Sequence, residues 1–222
     1  MITLAKGLIG VTLLLVSVIS YAGNEDFSSR TPSPVAAFNL TDQYGKPYGL
    51  EQLKGQWSLL VLGFTSCPDV CPMTLLRLEA IRAQLGMRMM PDKIPKIVFI
   101  AVDRDRDESI LAAYLAHFHP DYVGLTGDDN NLTSLVDSIG GLYRIEKRFP
   151  GDNAYNVRHS AGVAVVNPKG EWVATLNPPF HSHRSSEFLV QVIRDGNAKQ
   201  QARLERYSEQ YNEQYNEQHR EL

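Results

Sequence analysis

Residues Trp57 to Arg77, with the sequence WSLLVLGFTSCPDVCPMTLLR, contain the only two cysteines of the chain, Cys67 and Cys71. The apolar run before them, from Ser58 to Phe64, is typical of a buried strand. After Met73, leucine and isoleucine recur at helical spacing. The cysteines are therefore expected at a strand-to-helix turn, where a four-residue spacing places both on one face of the first helical turn.

The CPDVC turn favours sulfur chemistry. Free backbone N–H groups and the positive end of the helix dipole stabilise a sulfur anion at a helix N-terminus, which lowers a cysteine pKa. Thioredoxin-type oxidoreductases usually space their cysteines as CxxC, whereas this turn has one more residue. The wider spacing suits a metal ion as well as a disulfide. A purely structural disulfide is a weaker interpretation, because closing so short a loop stabilises a fold little.

The composition is that of an ordinary globular protein. The chain has 222 residues, of which 43% are hydrophobic and 21% are charged, and this length favours one sizeable domain. The formal net charge of −3 argues against nucleic acid as a general partner, because phosphate binding requires a basic surface.

The N-terminal segment has the features of an export signal. Lys6 precedes an apolar stretch from Leu8 to Ser20, and Ala22 follows at a position resembling a signal-peptidase site. About 13 apolar residues are few for a helix that spans a bilayer, which needs roughly 20. We interpret residues 1–22 as a cleaved signal peptide, with an uncleaved membrane anchor as the alternative. Both place the domain outside the cytoplasm, on the periplasmic side of the inner membrane in a Gram-negative bacterium.

The rest of the chain predicts strands alternating with helices. A polar linker with two prolines, residues 23–34, precedes the domain, which is expected to span residues 35–196. The predicted elements are a hairpin in 38–50, strands at 96–102 and 122–125, helices at 109–118 and 131–139, an extended segment at 142–149, a hairpin over 162–176 and a helix at 185–193. This order predicts an α/β protein with a thioredoxin-like fold, in which helices flank a central mixed sheet that carries an N-terminal hairpin.

Beyond Asn197 the composition changes. A four-residue repeat, YSEQ-YNEQ-YNEQ, occupies residues 207–218 and contains no aliphatic side chain. Such a segment buries too little apolar surface to fold alone. Residues 197–222 are interpreted as a polar, low-complexity tail, and a partner-docking helix is the alternative.

His159 is the third candidate for chemistry. It lies just before the predicted strand at 161–166, where thioredoxin oxidoreductases carry a proline that faces the cysteine pair. A histidine in that loop is placed to face both sulfurs. His181 and His183 form a weaker candidate metal pair, because a polar loop is the commoner explanation for such a pair.

Four segments, GFTSCPDVCP, VFIAVDRDRDE, YLAHFHPDYVGLTG and VRHSAGVAVVNPKGEWVA, resemble in order and spacing the SCO/SenC family of copper-binding proteins of cytochrome oxidase assembly. The similarity runs from about Val35 to Ile193. It implies that Cys67, Cys71 and His159 bind copper. It also implies delivery of that copper to the CuA site of cytochrome c oxidase subunit II or to another exported copper protein, with other periplasmic copper chaperones as further partners.

The chemistry of the donors agrees with that implication. Two thiolates and an imidazole suit Cu(I), with Cu(II) as a second form, whereas a structural zinc site needs a fourth ligand. The same cysteines can close to a disulfide when the metal leaves. The alternative function is therefore a thiol-disulfide oxidoreductase that reduces cysteines of the oxidase subunit or of other exported proteins.

Three further residues belong to the candidate site. Asp69 and Asp103 match acidic positions of the family pattern, and we expect Asp69 to contact a partner and Asp103 to support a ligand or cap a helix. Arg158 departs from the pattern, because the family commonly has an acidic residue before the histidine. A cation there favours a neutral imidazole and alters the face offered to a docking partner.

Overall fold

Six consecutive buried residues form the strand that the apolar run before the cysteines predicts, Ser58–Gly63. The computed structural model describes residues 27–152 and 154–196. The predicted signal or anchor at 1–22 and the predicted tail at 197–222 lie outside the described residues. Within them, no helix has the length and apolar character needed to cross a membrane.

The strands supply an eight-stranded mixed sheet and a separate two-stranded one. In chain order they are β1 (Phe27–Pro34), β2 (Asn39–Asp42), β3 (Pro47–Gly49), β4 (Ser58–Gly63), β5 (Lys96–Ala101), β6 (Val123–Thr126), β7 (Tyr143–Glu146), β8 (Asn156–His159), β9 (Val163–Val166) and β10 (Glu171–Leu176). The larger sheet has the order β1-β10-β9-β4-β5-β6-β2-β3. The central strands β4, β5 and β6 are parallel to one another, whereas β9 runs antiparallel to β4. The predicted N-terminal hairpin is confirmed as β2–β3, which extends the sheet beyond β6.

Helices cover both faces of this sheet. They are α1 (Leu50–Leu53), α2 (Val70–Gly86), α3 (Arg104–Asp107), α4 (Leu111–Ala116), α5 (Asp129–Ser138) and α6, at residues 182–196. Because side chains alternate along a strand, Leu59 and Val61 of β4 pack with α2, α4 and α6, whereas Leu60 and Leu62 pack with α5 on the opposite face. The two buried clusters confirm the predicted sheet flanked by helices.

Strand β1 corrects the prediction of a linker over residues 23–34. Phe27, Ser28 and Ser29 pair with the end of β10, and after an irregularity Ser33 and Pro34 pair with its start. Nearly all of the β1 side chains are exposed, so the segment lacks the apolar alternation by which strands are recognised. Backbone hydrogen bonds to β10 hold this edge strand in place. At its start, the ring of Phe27 stacks on that of Phe188 in α6, with centroids 4.1 Å apart.

The small sheet supplies the third candidate side chain. β7 lies within the extended segment predicted at 142–149, and it pairs antiparallel with β8, a strand that the sequence did not predict. His159, the last residue of β8, lies opposite Tyr143. Tyr143 and Val157 pack against the sheet face that carries α5. The hairpin is thereby anchored to the domain and holds His159 near the carboxyl end of β4.

Candidate metal centre

The cysteine turn joins β4 to α2 as predicted, but the helix begins at Val70, before Met73. Cys71 therefore lies inside the first helical turn, and its backbone N–H donates to Cys67 Sγ at 3.4 Å. The backbone N–H of Cys67 in turn donates to the carbonyl of Phe64 at 3.2 Å. Both cysteines are free thiols. The open end of α2 is thus directed at Cys67, the more exposed of the two sulfurs.

The environment of Cys71 contradicts the expectation that the helix N-terminus lowers its pKa. Its side chain is buried, and this desolvation raises the pKa of the Cys71 thiol to about 12. A hydrogen bond from the backbone of Phe64 acts in the opposite direction, and proximity to Cys67 and Asp107 raises the pKa further. Burial outweighs the helix end at this position, so Cys71 carries its proton at neutral pH.

His159 contacts the cysteine pair. Its Nε2 atom lies 3.4 Å from Cys71 Sγ. Its Nδ1 atom lies 2.9 Å from the carbonyl oxygen of Ser160, and because a carbonyl only accepts hydrogen bonds, Nδ1 carries the proton. In the neutral ring Nε2 then has a free lone pair, which accepts the Cys71 S–H. The ring presents to the sulfur the nitrogen that a metal would bind.

Two neighbours hold the imidazole in this orientation. The backbone N–H of Ser160 donates to the carbonyl of Leu142 at 2.9 Å, and Ser160 Oγ accepts the N–H of Leu142 at 2.9 Å. These bonds fix the carbonyl that receives Nδ1–H. The ring of Phe64 meets the imidazole edge-on, with centroids 6.0 Å apart. The histidine is therefore positioned from both β4 and the β7–β8 hairpin.

The three candidate ligands contact one another in pairs and are not arranged around one central point. Cys67 contacts the backbone of Cys71, and Cys71 Sγ contacts His159. Across residues 27–152 and 154–196, no group of three or more His, Cys, Asp or Glu side chains is already arranged to hold a metal ion. Two thiols and an imidazole are still the donor set that Cu(I) prefers. Closing such a site requires Cys67 to approach His159 and Cys71 to lose its proton.

Asp103 supports the site through Tyr155 and Arg106, but its side chain does not cap α3. Its carboxylate is fully buried and accepts the hydroxyl of Tyr155 at 2.6 Å. The guanidinium of Arg106 donates to the same carboxylate and lies over the Tyr155 ring, 3.9 Å from its centroid. Arg106 also lies 5.7 Å from the centroid of Phe64, the residue that packs on His159.

Asp107 braces the cysteine turn directly. Its Oδ1 atom accepts both the backbone N–H of Thr65, at 2.7 Å, and the Thr65 hydroxyl, at 2.6 Å. Its Oδ2 atom accepts the backbone N–H of Asp103 at 3.1 Å. Burial raises the pKa of this carboxyl, although the bonds from Thr65 lower it in part. One buried side chain therefore joins the residue two before Cys67 to the start of α3.

The sequence did not identify Asp107, Thr65 or Tyr155 as part of the site. Asp107 belongs to the charged run 103–108, which a solvated loop that caps a helix explains as well as a functional group does. The spacing of Asp103 and Asp107 is the only local signal. Tyr155 has none, because its contact with Asp103 joins residues 52 positions apart.

The other candidate residues lie at the surface. Asp69 is exposed at the start of α2, and Arg158 is 78% exposed with its guanidinium 3.9 Å from Glu146. His183 contacts Arg88 at 3.3 Å and Glu187 at 3.7 Å, both on the surface. His181 is exposed as well. His181 and His183 thus lie at the polar start of α6, which agrees with the interpretation of this segment as a polar surface loop.

A mixed sheet with a CxxxC turn at the carboxyl end of its central strand, and a histidine against the second cysteine, defines a thioredoxin-like domain with a candidate metal centre. The family model SCO1/SenC matches residues 28–194, and the chain belongs to this family.

Individual relatives agree. An SCO2-like protein of Rickettsia felis is 36% identical over 153 residues, covering 68% of this chain and 73% of the relative. A putative copper-binding protein of Stutzerimonas stutzeri is 31% identical, covering 72% and 76%. The crystal structure of yeast Sco1 with copper bound is 27% identical, with a TM-score of 0.67 over 73% of this chain and 90% of that one. The structural match confirms the predicted thioredoxin-like fold.

Proposed function

We propose that this protein is a copper metallochaperone that binds Cu(I) through Cys67, Cys71 and His159. The contact of 3.4 Å between His159 Nε2 and Cys71 Sγ carries the proposal, because it joins an imidazole lone pair to a sulfur across 88 residues of sequence. Membership of the SCO1/SenC family and the copper named in two of the similar proteins support it.

Copper is the cargo of this site. The metal would replace the Cys71 proton between sulfur and Nε2, and Cys67, at the exposed end of the turn, would complete a three-coordinate set. Such a site suits transfer, since a receiving thiol can attack the partly exposed Cys67 side while Cys71, which is buried, and His159 still hold the ion. Cu(II) is a second form that the same donors accommodate.

The receiving protein in this proposal is an exported copper protein, first of all subunit II of cytochrome c oxidase with its CuA site. Other periplasmic copper chaperones would supply the ion. Asp69, exposed beside Cys67, would contact the receiving protein. The proposal places the domain outside the cytoplasm on the periplasmic side of the inner membrane, as a soluble protein after signal cleavage or as an anchored one.

The same geometry favours a second candidate, a thiol-disulfide oxidoreductase. Cys67 is partly exposed and accepts the N–H of Cys71, whereas Cys71 is buried and protonated. In that reaction the Cys67 thiolate attacks a partner disulfide, and Cys71 then loses its proton and displaces the partner thiolate. The partner gains two electrons and the pair closes to a disulfide.

Copper binding to the reduced protein separates the two candidates. Anaerobic loading of the parent should give one tightly held copper with Cu–S absorption, and His159→Ala should lose most of the affinity while keeping its fold. His183→Ala, which removes an exposed histidine of α6, is the matched control and should bind as the parent does. Weak and equal binding by all three proteins would instead favour the oxidoreductase, because thiol exchange does not need His159.

A further inference from the structure

The outer face of the β7–β8 hairpin forms a groove beside His159. The groove has a volume of about 470 Å³, and its lining includes Leu142, Arg144, Glu146, Arg158 and His159. Leu142 is 72% exposed, so the groove presents an apolar side chain to solvent beside the candidate ligand. The groove is thus an open surface that combines an apolar side chain with charged ones, next to the site from which copper would leave.

Two arginines lie directly opposite each other in this hairpin. Arg144 pairs with Arg158 in the β7–β8 register, and both side chains are exposed. Like charges on facing residues destabilise a strand pair. Glu146 offsets this only weakly, because its nearest approach to Arg158 is 3.9 Å. Among the described residues, Arg144 has no carboxylate within ion-pair distance. The hairpin therefore keeps two cations together at a cost to its own stability.

The charge of this hairpin is opposite to that of the whole chain. Residues 143–159 contain four cations, Arg144, Lys147, Arg148 and Arg158, and two carboxylates, Glu146 and Asp152. The chain as a whole has a formal charge of −3. Lys147 forms an ion pair with Asp105, and Arg148 forms one with Asp152. The cations that remain for a partner are Arg144 and Arg158, the two that line the groove.

We propose that the groove docks an acidic segment of the protein that exchanges copper with this one, with carboxylates on Arg144 and Arg158 and an apolar side chain on Leu142. The inference rests on the proposed function for the identity of the partner, but the charge complementarity does not depend on copper. Docking there holds the partner beside His159, the ligand that contacts Cys71, and leaves the Cys67 side of the site open to an incoming thiol. Arg158 thus selects the partner by its charge, in a position next to the ligand.

Two synthetic peptides of equal length test this proposal with the purified protein. Each carries one CxxxC thiol pair and a fluorophore that bound copper quenches, and aspartates flank the thiols in one peptide and lysines in the other. Stopped-flow fluorescence gives the rate of Cu(I) transfer from the loaded protein. The double variant Arg144→Ala/Arg158→Ala should slow transfer to the acidic peptide about tenfold at low salt and lose most of its salt dependence.

The matched control is the double variant Lys46→Ala/Lys169→Ala. Both lysines are exposed, they lie in the β2–β3 and β9–β10 turns, and neither lines the groove. This variant removes the same charge and should change the rate less than about twofold. The lysine-flanked peptide should react no more slowly with the arginine variant than with the parent. An equal loss in both double variants, or none in the arginine variant, would overturn the proposal.

A peptide with serines in place of its cysteines separates docking from copper chemistry. Fluorescence anisotropy should show binding of this acidic peptide to the parent and about tenfold weaker binding to the arginine variant. If the parent fails to load copper but still shows this difference, the proposed function fails and the docking surface stands. If copper is loaded and transferred but the anisotropy does not distinguish the two proteins, the docking surface is wrong.

Discussion

The Nε2 atom of His159 faces the Sγ atom of Cys71 at 3.4 Å, and the Nδ1 proton of the same ring is held by the Ser160 carbonyl at 2.9 Å. The ring therefore accepts a hydrogen bond from the Cys71 thiol in the metal-free protein and has its lone pair aimed at the sulfur. A cation that replaces this proton meets two ligands without a change in the histidine tautomer. Under the proposed function, metal and proton would thus compete for one position.

This competition predicts that copper binding strengthens with rising pH. Burial raises the pKa of the Cys71 thiol to about 12, so the thiol is protonated below that pH and each bound Cu(I) must release its proton. This group alone should raise the apparent affinity about tenfold per pH unit between pH 6 and 8. Competition with a Cu(I) chelator, corrected for the chelator's own protonation, measures the slope. An affinity independent of pH would show that Cys71 is not a ligand.

Alkylation should distinguish the two thiols. Cys71 is 3% exposed and protonated, whereas Cys67 is partly exposed, so iodoacetamide should modify Cys67 at least about tenfold faster in the native reduced protein. Peptide mapping by mass spectrometry after timed quenching gives both rates. In urea the difference should disappear, because unfolding exposes Cys71. Equal rates under native conditions would contradict the burial of Cys71.

Gly63 should be needed for the packing of Cys71. A Cβ atom at this residue would lie 2.4 Å from Cε2 of Phe99 and 3.2 Å from Cys71 Sγ. The ring of Phe99 is fully buried and has little space to move. We expect Gly63→Ala to lower the free energy of unfolding by about 1 to 3 kcal/mol and to weaken copper binding.

Chemical denaturation of Gly63→Ala and Gly86→Ala checks this prediction. At Gly86, near the end of α2, the nearest atom to an added Cβ is Ile94 Cδ1 at 3.8 Å, an ordinary contact. Gly86→Ala should therefore leave stability unchanged or raise it by about 0.5 to 1 kcal/mol through helix propensity. Similar denaturation midpoints for the two variants would contradict this prediction.

Asp107→Ala should destabilise the cysteine turn. It leaves the Thr65 N–H, the Thr65 hydroxyl and the Asp103 N–H without their buried acceptor, which should cost about 1 to 3 kcal/mol of unfolding free energy. Asp105→Ala on the same helix is the control, because Asp105 forms a surface ion pair with Lys147 and its loss should cost under about 1 kcal/mol. Urea titrations of both variants give the comparison, and equal losses would show that Asp107 is not a brace.

The sequence predicted most of the sheet because its strongest signals are local. The β4 strand is apolar throughout and α2 repeats its leucines at helical spacing, so their packing partners do not alter the assignment. The β1 strand was missed because its exposed side chains carry no pattern and only its backbone pairs. The β8 strand was missed as a strand, although its last residue, His159, was identified as a candidate ligand.

The environment of the site was harder to predict than its ligands. Residue type and spacing indicate that Cys67, Cys71 and His159 can act together. The direction of the Cys71 pKa shift depends on how deeply the fold buries the thiol, which neighbouring sequence does not encode. Likewise, the bonds of Asp107 to Thr65 and of Tyr155 to Asp103 connect residues 42 and 52 positions apart.

The pairing of β1 also limits the geometry of an anchored protein. Phe27 pairs with Leu176, Leu176 with Val163, and Val163 with Val61. The start of β1 and the cysteine turn therefore lie toward the same ends of the strands. Between a leader ending at residue 22 and the start of β1 there are four residues, which reach at most about 14 Å. A retained anchor would therefore end no farther than about 14 Å from Phe27, at the end of the domain that carries the cysteine turn.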